Sequence, residues 1–313
     1  MSLGPGTSAL TPTMLDPPRM AARVSTVRRQ FDRVAPRFCV HDALPREIER
    51  RLLDRLDLIR LAPSRIVDVG CGAGRAREPL QARYPQAQWI GVDLSERMLA
   101  SGMTARGLGE RLRAWRGPGN ARLCADAAAL PLAGDSVELL VSSLMLHWHP
   151  APHTLFPEFR RVLRADGLLL FSCFGPDTLK EVRAACAAAL PRARPLPFVD
   201  MHDFGDMLVA SGFSTPVMDV ETLRVTFADA RALLRELRAL GASPLDARAP
   251  GLPSGAQARA LLSALDARRD ADGRIAVTVE VAYGHAWKPQ ASATRDGITA
   301  IPVDALRARL RQR

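Results

Sequence analysis

The stretch from Arg65 to Gly74, RIVDVGCGAG, constrains the fold more than any other part of the chain. Ile66, Val67 and Val69 form a short β-branched run, the pattern of a buried parallel strand. Gly70, Gly72 and Gly74 follow at alternate positions. A strand that ends in such glycines and opens a helix lets a backbone loop approach a ligand closely. Asp68 sits just inside the strand end.

The segments that follow alternate between strand and helix. Gln88–Asp93, Ala121–Asp126, Ser136–Ser143 and Leu168–Phe174 read as strands, with helical patterns over Arg75–Arg83, from the N-cap Ser95 onward, and over Pro152–Leu163. This alternation predicts an α/β, doubly wound parallel sheet with every strand C-terminus on one ligand-binding edge. Upstream, Leu44–Leu61 is an amphipathic helix. Phe31, Val34 and Phe38 share a helical face within Val27–Leu44, a helix or lid that Pro36 is expected to break. Downstream, the strand signal mostly lapses between Pro176 and Asp272, apart from a sixth strand at Val217–Val225. Helices are expected at Leu179–Leu190, Met201–Ser211, Ala228–Leu240 and Gln257–Arg268. Ile275–Trp287 alternates as a long strand suited to a sheet edge. Val303–Arg311 reads as a basic amphipathic helix in the tail.

These patterns divide the chain into a flexible arm (1–26), a main domain (27–288) and a tail (289–313). Within the domain, 27–61 form N-terminal helices or a lid, 62–175 a cofactor-binding core, and 176–272 a helical insertion and substrate region. Arg19, Arg23, Arg28 and Arg29 fall in a stretch, 17–31, that holds no acid, as in a mitochondrial presequence; a plain flexible arm is the preferred reading. No apolar run approaches the roughly 18–20 residues of a membrane span. Five scattered cysteines without a CxxC predict free thiols, a reducing compartment and no metal site. His149 and His153, close to His147, are too few for a metal centre.

The net charge of +10 is nearly all arginine, since Lys180 and Lys288 are the only lysines. It reflects either composition bias or an acidic partner. Aromatic residues are 5% of the chain and do not interleave with basic ones, which argues against single-stranded nucleic acid.

Arg75 stands where a dinucleotide fingerprint would place its third glycine. Asp93 ends the second strand, where a carboxylate can accept both ribose hydroxyls. Asp126 ends the third, where one can accept an exocyclic amine of adenine. Each Asp alone reads as a turn residue; together they point to an adenosine site.

DVGCGAG, GVDLS and ADAAALPL resemble the class I S-adenosylmethionine-dependent methyltransferases over about residues 60–175. The resemblance implies a Rossmann-like fold with a mostly parallel seven-stranded sheet, helices on both faces and a helical insertion or lid. It also implies that Asp68 orients the methionine moiety, often through water, and that Gly70, Gly72 and Gly74 take the close approach of the cofactor. Asp93 with Leu94 would hold the ribose, and Asp126 with Ala127 the adenine. A sulfonium cation without phosphates calls for carboxylates and backbone dipoles.

FDRVAPRF with His41, SSLMLHW, FRRVLRADGLLLFSCFGPDTLKEVR, LLRELRALGAS and VEVAYGHAWKP are similar to the malonyl-acyl-carrier-protein O-methyltransferases of biotin synthesis, over about residues 27–289. Phe38 stands where that family often has Tyr, which leaves only shape and stacking there. The implied activity is O-methylation of the free carboxylate of a malonyl thioester on an acidic acyl carrier protein, in the cytoplasm. The acceptor would lie near Ser143 and His147, with Trp148 as a wall and Arg160, Arg161 and Arg183 available to meet a charge. HW, FGPDTL and GHAWK are also similar to the mitochondrial complex I assembly factor of the superfamily, linked to arginine hydroxylation. That alternative stays open at this point, as do a methyltransferase for another small-molecule acceptor and a cofactor-binding, non-catalytic interaction protein.

Overall fold

A computed structural model describes residues 17–104, 120–190, 194–195, 198–241, 245–247 and 254–290. The alternation seen in sequence becomes a seven-stranded sheet. Its strands are β1 (Arg65–Val69), β2 (Gln88–Asp93), β3 (Ala121–Cys124), β4 (Val137–Ser143), β5 (Leu163–Phe174), β7 (Ser214–Phe227) and β9 (Ile275–Trp287), in the order β3-β2-β1-β4-β5-β9-β7. β1 to β5 run parallel, while β9 is antiparallel to both β5 and β7. Two further short strands, β6 (Arg194–Pro195) and β8 (Leu245–Ala247), pair with each other alone. The order reverses between β1 and β4, so the crevice at the C-terminal ends of those two strands is the natural ligand site.

The period-two alternation of the strands feeds two cores. Along β5, Leu169, Phe171 and Cys173 join Phe156, Phe159 and Phe204 on one face, and Leu168 and Leu170 join Ile48, Leu52, Leu56 and Trp89 on the other. In β1, Val67 and Val69 face the first core and Ile66 the second. Alternation therefore puts Asp68 on the side of Ile66 and of α2 (Ala43–Asp54). α3 (Arg77–Arg83), α4 (Glu96–Thr104) and α5 (Leu155–Val162) are the crossover helices. A third cluster, with Val182, Leu233, Leu265 and Val277, lies under α6 (Lys180–Ala189), α8 (Ala230–Ala239) and α9 (Gly255–Asp266). α7 (Met201–Ala210) packs Phe204 and Leu208 into the first core.

Several expectations need correction. Helix α1 runs from Pro17 to His41 without stopping at Pro36. Proline removes one helical hydrogen bond there, but packing of Ala35 and the aromatic face outweighs that loss. The helix also begins ten residues before the boundary assigned to the arm, and its tertiary anchors explain why it is ordered. Asp32 accepts from Ser95 Oγ (2.6 Å), His41 Nδ1 meets Glu236 Oε2 (2.7 Å), and Gln30 donates to the carbonyl of Gly241. β9 is not an edge strand: it is covered by β7, whose own alternation of half-buried and exposed residues marks the true edge. Region 176–272 is thus no pure helical insertion, because β7 completes the sheet. The basic stretch 105–119 and the tail helix at Val303–Arg311 lie outside the described residues.

Candidate active site

Backbone hydrogen bonds fix the glycine turn after β1. The N–H groups of Gly70 and Cys71 both donate to the carbonyl of Val92, at 2.8 and 3.1 Å. Gly70 has φ +76°, and a Cβ there would lie 2.5 Å from Met145 Cβ, so both backbone conformation and space demand glycine. Asp93 closes the turn from the end of β2. Its Oδ2 accepts the Gly72 N–H and its Oδ1 the Ser95 N–H, each at 2.8 Å. Burial pushes the Asp93 carboxyl above the usual range, and those two N–H groups partly oppose the shift. Asp126 accepts the Ala128 N–H at 2.9 Å and so forms a tight turn beyond β3.

Asp68 is only 2% exposed, and its Oδ2 has no hydrogen-bond partner among the described residues. Burial, reinforced by repulsion from Glu49 and Asp93, raises its carboxyl well above the normal range. A carboxylate enclosed in this way favours a nearby cation. Asp42, Glu49 and Arg75 gather on the helical side of the turn. Arg75 makes an ion pair with buried Asp42 and donates to the Cys39 carbonyl at 3.2 Å. Glu49 is pushed up to about 7 by burial, against the attraction of Arg75 and with Asp42 adding repulsion.

The loop after β4 builds the other half. Ser143 Oγ lies 3.2 Å from Ser172 Oγ, and the Leu144 N–H donates to the Ser172 carbonyl at 2.9 Å. His147 follows in a short 3-10 turn and is buried among aromatic rings. Its ring centroid is 4.7 Å from that of Phe174, 5.3 Å from Trp148 and 5.8 Å from Phe198. Neither ring nitrogen has a partner among the described residues. Burial lowers its pKa to about 3, so the imidazole is neutral at physiological pH. Phe31 of α1 meets Trp148 edge-on at 5.1 Å and roofs this end.

The two halves form one cavity of about 220 Å³. Its lining includes Asp126 and Ala127, Asp93 and Leu94, Gly70 and Gly72, and Ser143 and His147, which follow the strand order β3-β2-β1-β4 along the sheet edge. Two predicted residues do not line it. Asp68 lies behind the turn, so its charge reaches a ligand only across other groups. Gly74 faces inward, where a Cβ would sit 3.0 Å from both Trp89 and Arg122. Of the three arginines proposed to meet a charge, only Arg183 lines the cavity. Arg160 donates to the Gly212 carbonyl, and Arg161 is occupied by Glu158 and the carbonyls of Leu130 and Leu132. Sequence reasoning missed Glu49, Asp42 and Phe198. The two acids fall within polar helical stretches and Phe198 in an irregular loop, so no periodic signal marked them. Among the described residues no three His, Cys, Asp or Glu side chains converge as metal ligands.

The subsites follow the strand order. Asp126 after β3, Asp93 after β2, the glycine turn after β1 and His147 after β4 lie in sequence along the sheet edge. This arrangement fits an adenosine-bearing cation. The Asp93 and Asp126 carboxyl groups line the cavity where the family resemblance expects the ribose and adenine, with Gly70 and Gly72 next along the sheet edge.

The fold and site define a class I S-adenosylmethionine-dependent methyltransferase. A "Methyltransferase domain" family model matches residues 67–171. The chain is 43% identical over 279 residues to the malonyl-[acyl-carrier protein] O-methyltransferase of Methylovorus sp., covering 88% of this chain and 93% of that relative. It is 45% identical over 272 residues to the same-named protein of Laribacter hongkongensis, covering 87% and 91%. The fold is shared with the YcgJ protein of Bacillus subtilis (TM-score 0.53, 16% identity, 76% of this chain and 98% of that one). The chain belongs to the malonyl-[acyl-carrier protein] O-methyltransferase family, and S-adenosylmethionine is its methyl donor. These relatives favour that reading over the assembly-factor alternative.

Proposed function

We propose that this protein transfers the methyl group of S-adenosylmethionine to the free carboxylate of a malonyl thioester carried by acyl carrier protein. The ester would start the biotin precursor chain. The observation that carries this reading is the division of one cavity into a carboxylate-bearing cofactor half and an aromatic acceptor half, in a chain that matches the family nearly end to end.

When bound, the cofactor supplies a methyl group on a positively charged sulfur. The chain's own residues do the rest by positioning and by excluding water. Asp93 and Asp126 hold the nucleoside, and the glycine turn fixes its depth. A carboxylate with a reference pKa near 4 is already ionised at neutral pH, so the acceptor needs no general base. His147 is suited to this economy: uncharged, with its ring nitrogens free, it offers one N–H to the acceptor without removing a proton. Ser143 ends β4 four residues earlier and lines the same cavity. Phe31, Trp148, Phe174 and Phe198 keep water from the nucleophile, and desolvation raises its reactivity.

The net charge of +10 gives an acidic carrier protein a favourable approach, and a cytoplasmic location suits that partner. Among the described residues no helix is long and apolar enough to cross a membrane. The test is incubation of purified protein with S-adenosylmethionine and malonyl carrier protein, with the methyl ester followed by mass spectrometry. Ester formation and rescue of a biotin-requiring mutant are expected. Absence of both sinks the reading.

A further inference from the structure

Among the described residues, the acceptor half is apolar except for His147, Ser143, Thr178, whose Oγ1 donates to the Glu280 carbonyl, and one cation, Arg183 of α6. The other two arginines that line the cavity sit with acids. Arg75 is paired with Asp42, and Arg46 adds its charge to the field around Asp42 and Glu49. Arg183 has no carboxylate partner among the described residues. Its Nη2 donates to the Pro176 carbonyl, and its guanidinium carbon lies 5.9 Å from the centroid of Phe198. Phe198 is in turn 5.8 Å from His147 and 5.9 Å from Phe174. The guanidinium therefore reaches the same aromatic enclosure as the imidazole.

Its placement is rigid. Val182, Ala185 and Cys186 bury the inner face of α6, and Glu181 ties the helix to β9 by accepting from Thr278 Oγ1 (2.6 Å) and Thr278 N (3.0 Å). A guanidinium carries five N–H donors, and the Pro176 carbonyl takes only one direction of that fork. The remaining donors are available to an anion.

We propose that Arg183 is a specificity-determining residue. It holds one oxygen of the acceptor's free carboxylate and thereby distinguishes the acid substrate from its methyl ester product. The proposal rests on the carboxyl-methylating reading above. In that reaction an O–CH3 bond forms as the S–CH3 bond breaks and the bonding pair stays on sulfur. No proton moves, and the acceptor passes from one negative charge to none. The group that Arg183 holds thus loses its charge in the step that makes the product. One carboxylate oxygen bound to Arg183 leaves the other free as nucleophile, and a neutral ester no longer matches the cation.

The test compares wild type with Arg183→Met and Arg183→Lys. KM and kcat are measured on malonyl carrier protein and on a small carrier-free malonyl thioester, and inhibition by the corresponding methyl ester is measured alongside. Cofactor affinity by calorimetry checks that the fold is intact. A charged hydrogen bond of this kind corresponds to a KM increase on the order of 10- to 100-fold for Arg183→Met on both acceptors. Ester inhibition should stay within about twofold, and Arg183→Lys should recover part of the loss. An unchanged preference for acid over ester in Arg183→Met overturns the proposal. So does a KM effect confined to the carrier-bound substrate, which would assign Arg183 to carrier docking. If wild type forms no methyl ester at all, the carboxyl-methylating reading falls first; if wild type does and Arg183→Met keeps the preference, only this proposal falls.

Discussion

The two halves of the cavity are built on opposite principles. In the cofactor half the two cavity-lining aspartates are already hydrogen-bonded by neighbouring backbone: Asp93 accepts two N–H groups and Asp126 accepts one. Asp93 ends β2 and Asp126 lies two residues beyond β3, so local sequence creates the subsite. In the acceptor half the imidazole of His147 has no partner among the described residues, and its walls come from α1, the loop after β4, the end of β5 and the residues before α7. The cofactor half is set before anything binds. The acceptor half holds polar groups whose desolvation only a ligand can offset. Reading a donor is therefore a local property of this chain, while choosing an acceptor is a tertiary one.

Substitutions at the turn should break the cofactor half most strongly. Asp93→Ala removes the proposed ribose contact and leaves the Gly72 and Ser95 N–H groups without their acceptor. Affinity for S-adenosylmethionine should fall by at least about 100-fold, with about 2–4 kcal/mol lost in stability. Calorimetry and thermal unfolding check both numbers; unchanged affinity would remove Asp93 from the site. Gly70→Ala comes next. Its Cβ would press on Met145, two residues before His147, so both halves should suffer together. About 2–3 kcal/mol of stability is expected to go, a fall of several degrees in Tm. If donor affinity alone changes, the halves are less coupled at this contact than the distances require.

The contrast also explains what could be read from sequence. Ile66–Val69, Gly70, Asp93 and Asp126 announce themselves because strand, turn and acid are contiguous, and their place along the edge follows from βαβ connections. The aromatic enclosure was only partly legible. Phe31 and Trp148 stood out as side chains, but nothing local places Phe198 beside His147. Gly74 and Asp68 fit the motif but do not line the cavity: alternation along β1 sends Asp68 to the α2 side, and Gly74 packs toward Trp89 and Arg122. Pro36 misled because single-residue propensity is weak against a helix held at several tertiary points.

His147→Phe sharpens the comparison from the acceptor side. Phenylalanine keeps the ring contacts with Phe174 and Phe198 but deletes the N–H. The expected result is a fall in kcat/KM for malonyl carrier protein of about 10-fold, the value of one hydrogen bond, with donor affinity unchanged. With its pKa near 3, His147 should leave no inflection near neutrality in the acceptor kcat/KM profile. An equal loss in donor affinity would mean that the halves are not separable.

The smallest expected effect belongs to Glu49, which lies near the junction of the halves with its carboxyl pushed up to about 7. The ordinary carboxyl value for glutamate is 4.5, so the native state binds the proton more tightly. Its contribution to stability is greatest below the unfolded value and is lost as pH rises through about 7, because the charge must then be buried. Arg75 and Arg46 attract that charge and Asp42 repels it, which leaves burial as the dominant influence. A cationic ligand pulls the other way by favouring the ionised form. Donor affinity should therefore tighten a few-fold from about pH 6 to 7.5, a window in which an α-amino group remains largely protonated. Glu49→Gln should flatten that rise and increase Tm more at about pH 8 than at about pH 5.5. Titration calorimetry across the window reads the first effect and thermal unfolding the second. If the rise persists in Glu49→Gln, the titrating group lies elsewhere, and buried Asp68 or Asp93, both raised in the same direction, is the next to replace.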